Sequence, residues 1–216
     1  MWVNHAMYGV TKGSTKHQST CTEDVCFDCI LKDTKVFSEE RKGKLENYWK
    51  LIGDGTRLDA ALLSFSLISC SLQHEELCRS KMDCSLRDFC NCLIETDFIP
   101  CAASLLSKLI DLDGDEQEHC TAYYICSILG ELVNIMNKEV NPDPIAYDIM
   151  PYHIWELHSN FSFYQQVVDS GIIRLFVDLV NGKKGLYEQI RAAWALRSMV
   201  VSQLLVDEMA KCGAIE

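Results

Sequence analysis

The sequence predicts an all-α fold built by stacking similar helical units, and three observations carry that expectation. Apolar residues recur at helical spacing from Glu23 onward, and no segment shows the strict alternation of a half-buried strand. Hydrophobic residues make up 48% of the 216 positions, enough for a sizeable core and too many for a disordered chain. Third, two segments echo each other 42 residues apart, Phe163-Tyr164-x-x-Val167-Val168-Asp169-Ser170-Gly171-Ile172-Ile173 and Leu205-Val206-x-x-Met209-Ala210-Lys211-Cys212-Gly213-Ala214-Ile215. That distance lies within the period of stacked helical repeats, and each glycine falls where one helix must stop and turn into the next. A stack of repeats is a surface for holding another chain, so the expectation is a non-enzymatic binding scaffold.

The elements follow in order. Residues 1–20 are rich in Gly, Ser, Thr, Lys and His without a sustained period and read as a flexible tail. Residues 21–72 read as a divergent N-terminal unit. Val25, Cys26, Cys29, Ile30, Val36 and Phe37 mark one helix; Leu45, Tyr48, Trp49, Leu51 and Ile52 mark a second, ended by Gly53-Asp54-Gly55. The apolar run Leu58 to Leu72 is a third, almost wholly buried. Residues 73–136 form the next unit: a polar link, helices at about 86–95 and 98–112, an acidic turn Asp111-x-Asp113-Gly114-Asp115, and a long helix over 116–136 whose acidic start suits the helix dipole. Residues 137–160 hold Pro142, Pro144 and Pro151 with Tyr147, Tyr152 and Trp155, and read as an insertion with local order at most. Residues 161–216 complete one more unit and begin another, with helices at about 161–169, 172–180, 186–201 and 203–211.

The C-terminal pattern is specific: Val167-Val168-Asp169-Ser170-Gly171-Ile172-Ile173-Arg174-Leu175-Phe176-Val177-Asp178-Leu179-Val180, followed by Glu188-Gln189-Ile190-Arg191-Ala192-Ala193-Trp194-Ala195-Leu196-Arg197-Ser198-Met199. It resembles the armadillo repeat, closely over residues 162–216 and more loosely over 86–136. The resemblance implies a right-handed superhelical α-solenoid of about three armadillo-like units, interrupted by the proline-rich insertion. In the looser unit Thr96-Asp97-Phe98-Ile99-Pro100 stands where the family has its glycine turn, so a different turn is expected there. Small residues at Ala122, Ala192 and Ala193 are expected where neighbouring helices approach closely.

In that family the third helices line a concave groove. The resemblance therefore implies partner-binding positions at Tyr124, Ile128 and Glu131 and at Arg191, Trp194, Arg197 and Ser198. Import receptors of this type pair the tryptophan with an asparagine one turn on, whereas this chain has Trp194 with Ser198 and Tyr124 with Ile128. Classical nuclear-signal binding is not implied. The groove would grip an extended or helical segment of another protein.

Charge narrows the partner. The formal net charge is −11 and no Lys/Arg run exceeds two residues, which disfavours nucleic acid and anionic membrane and favours a neutral or basic protein segment. Neither a secretory start nor an apolar run of membrane-spanning length is present in the sequence, so a cytoplasmic or nuclear address is expected, with reduced cysteines acting as small hydrophobes. No cofactor is expected. The apolar face of 203–211, left without a following unit, suggests self-association at that end or a longer protein.

Four other readings compete with the scaffold. His17, Cys21, Cys26 and Cys29 form a set of potential zinc ligands with one Cys-x2-Cys, and would make the N-terminus a zinc-binding regulatory module; a buried helical face explains the same cysteines. Asp111-x-Asp113-Gly114-Asp115 opens like a calcium loop, but Glu116 replaces its glycine and Ala122 its closing carboxylate. A substrate-binding fragment of a ubiquitin-ligase-like protein is the remaining alternative. A cysteine nucleophile lacks any motif to mark it, and Cys84, Cys90 and Cys92 read as packing residues.

Overall fold

The computed structural model describes residues 27, 30, 39–74, 85–110, 116–138, 153–183 and 185–215, which are helical throughout apart from short turns. Nine α-helices follow in order among them: α1 Glu39–Ile52, α2 Leu58–Gln73, α3 Leu86–Glu95, α4 Phe98–Ile110, α5 Glu116–Lys138, α6 His153–Asp169, α7 Ile172–Asp178, α8 Leu186–Ser198 and α9 Gln203–Lys211. A π-helical turn at Leu179–Lys183, broken by the left-handed Gly182, joins α7 to α8. No strand occurs among the described residues.

Helix starts and stops obey local chemistry. Ser85 caps α3, its hydroxyl accepting from the Asp88 amide at 3.1 Å. Between α3 and α4 the chain turns on Asp97, whose φ of 58° makes it the one non-glycine in the left-handed region among the described residues. Gly171 before α7 and Gly213 after α9 take the same conformation, with φ of 71° and 79°. The glycine-less turn therefore does not differ, contrary to the sequence expectation. Asp tolerates the left-handed region better than most side chains, and here it stands in for glycine. Pro100 sits in the first turn of α4, where a missing amide hydrogen breaks no helical bond.

The helices meet in a regular order. α1 packs on α4 and α4 on α7; α2 packs on α5 and α5 on α8; α6 packs on α9. Each of these contacts joins helices three places apart in the order of the described helices; α3 and α6, also three apart, make no comparable contact. The most extensive are those of α5, flanked by α2 on one side and α8 on the other, with α4 packed beside it. Ala122, Ile125, Cys126, Ile128, Leu129, Leu132 and Val133 of α5 have no exposed surface. Full burial of each large aliphatic there contributes about 1.5–3 kcal/mol, so this helix is a major source of stability.

Aromatic contacts fasten the N-terminal helices. Trp49 of α1 donates its indole N–H to Thr96 Oγ1 at 3.0 Å, and that hydroxyl donates to the Cys92 carbonyl at 2.7 Å. The Trp49 ring meets Phe98 edge-on at 5.2 Å, and Phe98 meets Phe65 of α2 at 5.7 Å. Phe27 meets Tyr48 and Trp49 at a tilt, with ring centres 5.6 and 5.4 Å away. The C-terminal end of α1 is held by α4: the Gly53 carbonyl accepts from Lys108 Nζ at 2.9 Å and Ser104 Oγ at 3.2 Å. A side chain at Gly53 would approach Cys101 Sγ to 3.3 Å, so α1 ends closely against α4.

Several expectations need correction. Leu58–Gln73 is helical as expected, but only part of it is buried, and Leu63 is about half exposed. Helix α6 begins at His153 rather than Phe161; beyond Pro151 no proline interrupts it. Ala122 and Ala192 are fully buried, whereas Ala193 is exposed and Ala195 takes the buried place. The tail, the acidic turn 111–115, the zinc set and the prolines Pro142, Pro144 and Pro151 lie outside the described residues.

Of the cysteines read as packing residues Cys90 and Cys92 are buried, and Cys84 lies outside the described residues. Cys90, Cys92, Cys101 and Cys126 are free and buried. Burial pushes the Cys101 thiol up to about 12, against a small opposing pull from Lys108. The Cys126 thiol is also raised, by burial first and by Glu188 second.

The left-handed turns give a prediction in which φ and not crowding decides. A side chain at Gly171 would meet nothing within 4 Å. Gly171→Ala should still lose about 1 kcal/mol in urea unfolding, because an L-residue resists that φ. Asp97→Gly should lose nothing.

Candidate functional site

The face shared by α2, α5 and α8 carries half-buried aromatic and polar side chains, among them Tyr123, Tyr124, Arg191 and Trp194. Its centre is Trp194 of α8, whose indole packs directly against Gly130 of α5. A Cβ built on Gly130 would fall 2.2 Å from Trp194 Cζ3 and 2.7 Å from Cε3. Glycine within a long helix costs about 1 kcal/mol against alanine. Its presence is explained by the ring that needs its space.

Arg191, one turn before Trp194, lies across both helices. Its Nη2 donates to Tyr123 Oη of α5 at 2.6 Å, and its guanidinium carbon stands 4.8 Å from the Tyr123 ring centre and 5.8 Å from that of Trp194. Tyr124 meets Tyr123 edge-on at 5.5 Å. Burial raises the pKa of the Tyr124 phenol, and Cys70 of α2, Cys120 and Tyr123 add to the shift. The Tyr124 hydroxyl thus stays neutral and stands where α2 and α5 meet. Tyr187, one turn before Arg191, is largely exposed.

A polar link closes the end of this face. Glu188 is buried, and its Oε1 lies 3.0 Å from Nδ1 of the half-exposed His119. Its other oxygen comes within 2.8 Å of where a Cβ on Gly185 would stand, so glycine at the start of α8 makes room for the carboxylate. An acidic group in the first turn of a helix also suits the helix dipole. Next to it, the Cys120 thiol is raised by burial and by the carboxylates of Glu116 and Glu188. That environment disfavours the thiolate, the reverse of what activates a nucleophile.

The expected site residues divide on this geometry. Tyr124, Arg191 and Trp194 fall together, half-buried. Glu131 is half-buried and adjoins Gly130. Ile128 is a correction: it has no exposed surface and belongs to the core, because its position points α5 inward among Ile125, Leu129 and Leu132. Ser198 is likewise buried, its hydroxyl donating back to the Trp194 carbonyl at 3.1 Å. Arg197 is exposed, on the side of α8 that also carries Ile190 and Ala193. Sequence reasoning missed Tyr123, His119, Glu188 and Gly130. The Tyr123-Tyr124 pair was visible, and a glycine inside an otherwise strong helix was the available signal for a close approach.

Among the described residues no group of three or more His, Cys, Asp or Glu side chains is placed to hold a metal ion. The set His17, Cys21, Cys26 and Cys29 lies outside them. No single described helix is long and apolar enough to cross a membrane. No protein-family model, curated protein or solved structure matches the chain.

The Trp194–Gly130 contact is testable by a double-mutant cycle. Gly130→Ala should destabilise the wild type, since displacing the indole outweighs the gain in helix propensity. In a Trp194→Ala background the same change should stabilise, by about 1 kcal/mol. Equal effects in the two backgrounds would refute the contact.

Proposed function

We propose that the chain is a non-enzymatic protein-interaction scaffold of armadillo-like architecture that binds an extended or helical segment of a partner along the α2/α5/α8 face. The observation that carries this reading is the Tyr123–Arg191–Trp194 arrangement. Two aromatic rings and a guanidinium are packed together in advance, on two adjacent helices, while remaining partly accessible. Aromatic and arginine side chains are the ones that most often dominate interface energy, and prior ordering reduces the entropy lost on binding.

Two features support the architecture. Most described helices three apart in order pack on one another (α1 on α4, α4 on α7, α2 on α5, α5 on α8, α6 on α9), as a stack of three-helix units would have them, though α3 and α6 do not pair extensively. The left-handed residue before α4 and α7 recurs after α9 at Gly213, which fits a repeated turn. In such a stack α2, α5 and α8 form one row, and a partner laid across the row would meet Tyr124, Glu131, Arg191 and Trp194 in turn. Arg191 is already engaged with Tyr123, so its remaining donors suit the backbone carbonyls of a segment. The net charge of −11 favours a neutral or basic sequence overall.

A library of short linear peptides selected on the wild-type protein tests this. Selected peptides should be neutral or basic, and they should bind Trp194→Ala and Arg191→Ala at least tenfold more weakly, with helicity by circular dichroism unchanged. Affinity unaltered by both substitutions would refute the reading.

A further inference from the structure

The polar atoms at the centre of the Tyr123–Arg191–Trp194 surface are donors that the fold leaves with capacity. The indole atoms of Trp194 nearest to a Cβ built on Gly130 are Cζ3, Cε3 and Cη2, on the side of the ring remote from Nε1. The indole N–H therefore stands away from Gly130, and among the described residues no acceptor takes it. Trp49, by contrast, gives its N–H to Thr96 Oγ1. Arg191 places Nη2 on Tyr123 Oη and has further N–H groups to offer. Tyr124 keeps its phenol proton because burial disfavours the phenolate, and no described residue bonds its hydroxyl. An indole N–H and a guanidinium can only donate. Glu131, the carboxylate beside Gly130, already has an interaction of its own.

Apolar faces accompany these donors without a gap. The ring centres of Tyr124 and Tyr123 are 5.5 Å apart, and the Arg191 guanidinium carbon lies 4.8 Å from Tyr123 and 5.8 Å from Trp194. The segment that suits such a surface has free carbonyls, few amide hydrogens and compact apolar side chains. An α-helix bonds its carbonyls internally. A β-strand brings an N–H for every C=O, and its same-face side chains recur at about 6.7 Å. Polyproline II leaves every carbonyl free, proline removes the amide hydrogen, and one turn of three residues advances about 9 Å. Packed helices lie roughly 8–10 Å apart, so residues one polyproline turn apart meet the tyrosines of α5 and the tryptophan of α8 in succession. Such a segment carries no charge of its own, and the net charge of −11 does not oppose it.

Resting on the scaffold reading, we propose that the segment held on this surface is proline-rich and binds as a polyproline II helix, its carbonyls accepting from Trp194 Nε1, Arg191 and Tyr124 Oη. Its conformation exists before binding, so little chain entropy is lost when the rings close on it.

Acetylated, amidated decaproline is the probe. Added to the nitrogen-15-labelled full chain up to about 1 mM, it should move the Trp194 indole N–H resonance downfield, assigned by its absence from Trp194→Phe, and leave that of Trp49 in place. Trp194→Phe keeps a ring against Gly130 and deletes the donor, and Tyr124→Phe deletes only a hydroxyl. Each should bind fluorescein-labelled decaproline roughly threefold to tenfold more weakly, with helicity unchanged. A decapeptide of alternating glycine and serine should leave the Trp194 resonance where it was. A Trp194 resonance unmoved by decaproline would overturn the proposal, as would equal binding of the glycine-serine peptide or wild-type affinity in both Phe variants. Failure of the scaffold reading is distinguishable. Library peptides that bind in a Trp194-dependent way without an excess of proline overturn the polyproline assignment alone, whereas a library that yields no binder overturns both.

Discussion

Everything described here depends on α5 being clasped between α2 and α8. The constraint is steric before it is chemical: two helices can lie close along both sides of a third only where side chains are small or absent. The chain meets this with Ala61 on α2, Ala122 and Gly130 on α5, and Ala192 and Ala195 on α8. Once the helices are that close, the aliphatic residues of α5 are fully covered, at about 1.5–3 kcal/mol each. The polar links between α5 and α8 add less. Packing therefore holds the two helices together, while the polar groups fix how one is turned against the other.

The same constraint produces the candidate binding surface. With no side chain at Gly130, the Trp194 indole settles on the α5 backbone and presents its outer parts beside Arg191. Arg191 then finds Tyr123 within hydrogen-bond reach on α5. A surface made this way is ordered by the core beneath it. Its polar members are engaged with one another, and binding a partner would require little rearrangement.

Much of this was legible in the sequence. The helices at Leu86–Glu95, Gln203–Lys211 and the long α5 follow from apolar periodicity and from breakers at their ends. Gly171 and Gly213 were readable as left-handed turns because glycine enters that region freely. Asp97 was not, since an aspartate in the left-handed region leaves no compositional mark. The start of α6 at His153 was hidden by the neighbouring prolines and aromatics, which look like a loop until the last proline is passed. Site residues were harder still. Periodicity tells that Tyr124 and Ile128 lie one turn apart, but not that Tyr124 stands at the rim and Ile128 in the core. Glu188 looks like an ordinary surface glutamate in the sequence, and only the approach of α5 to α8 turns it into a buried partner of His119. The armadillo resemblance pointed to Trp194 and Arg191 but not to Gly130, which packs against the Trp194 ring.

Native-state hydrogen exchange, resolved by residue, tests the clasp most directly. If α5 is the element on which the others depend, its central amides from Ala122 to Val133 exchange only through global unfolding, and those of α6 and α9 open earlier at lower free energy. Central α5 amides that exchange as readily as those of α9 would contradict the account.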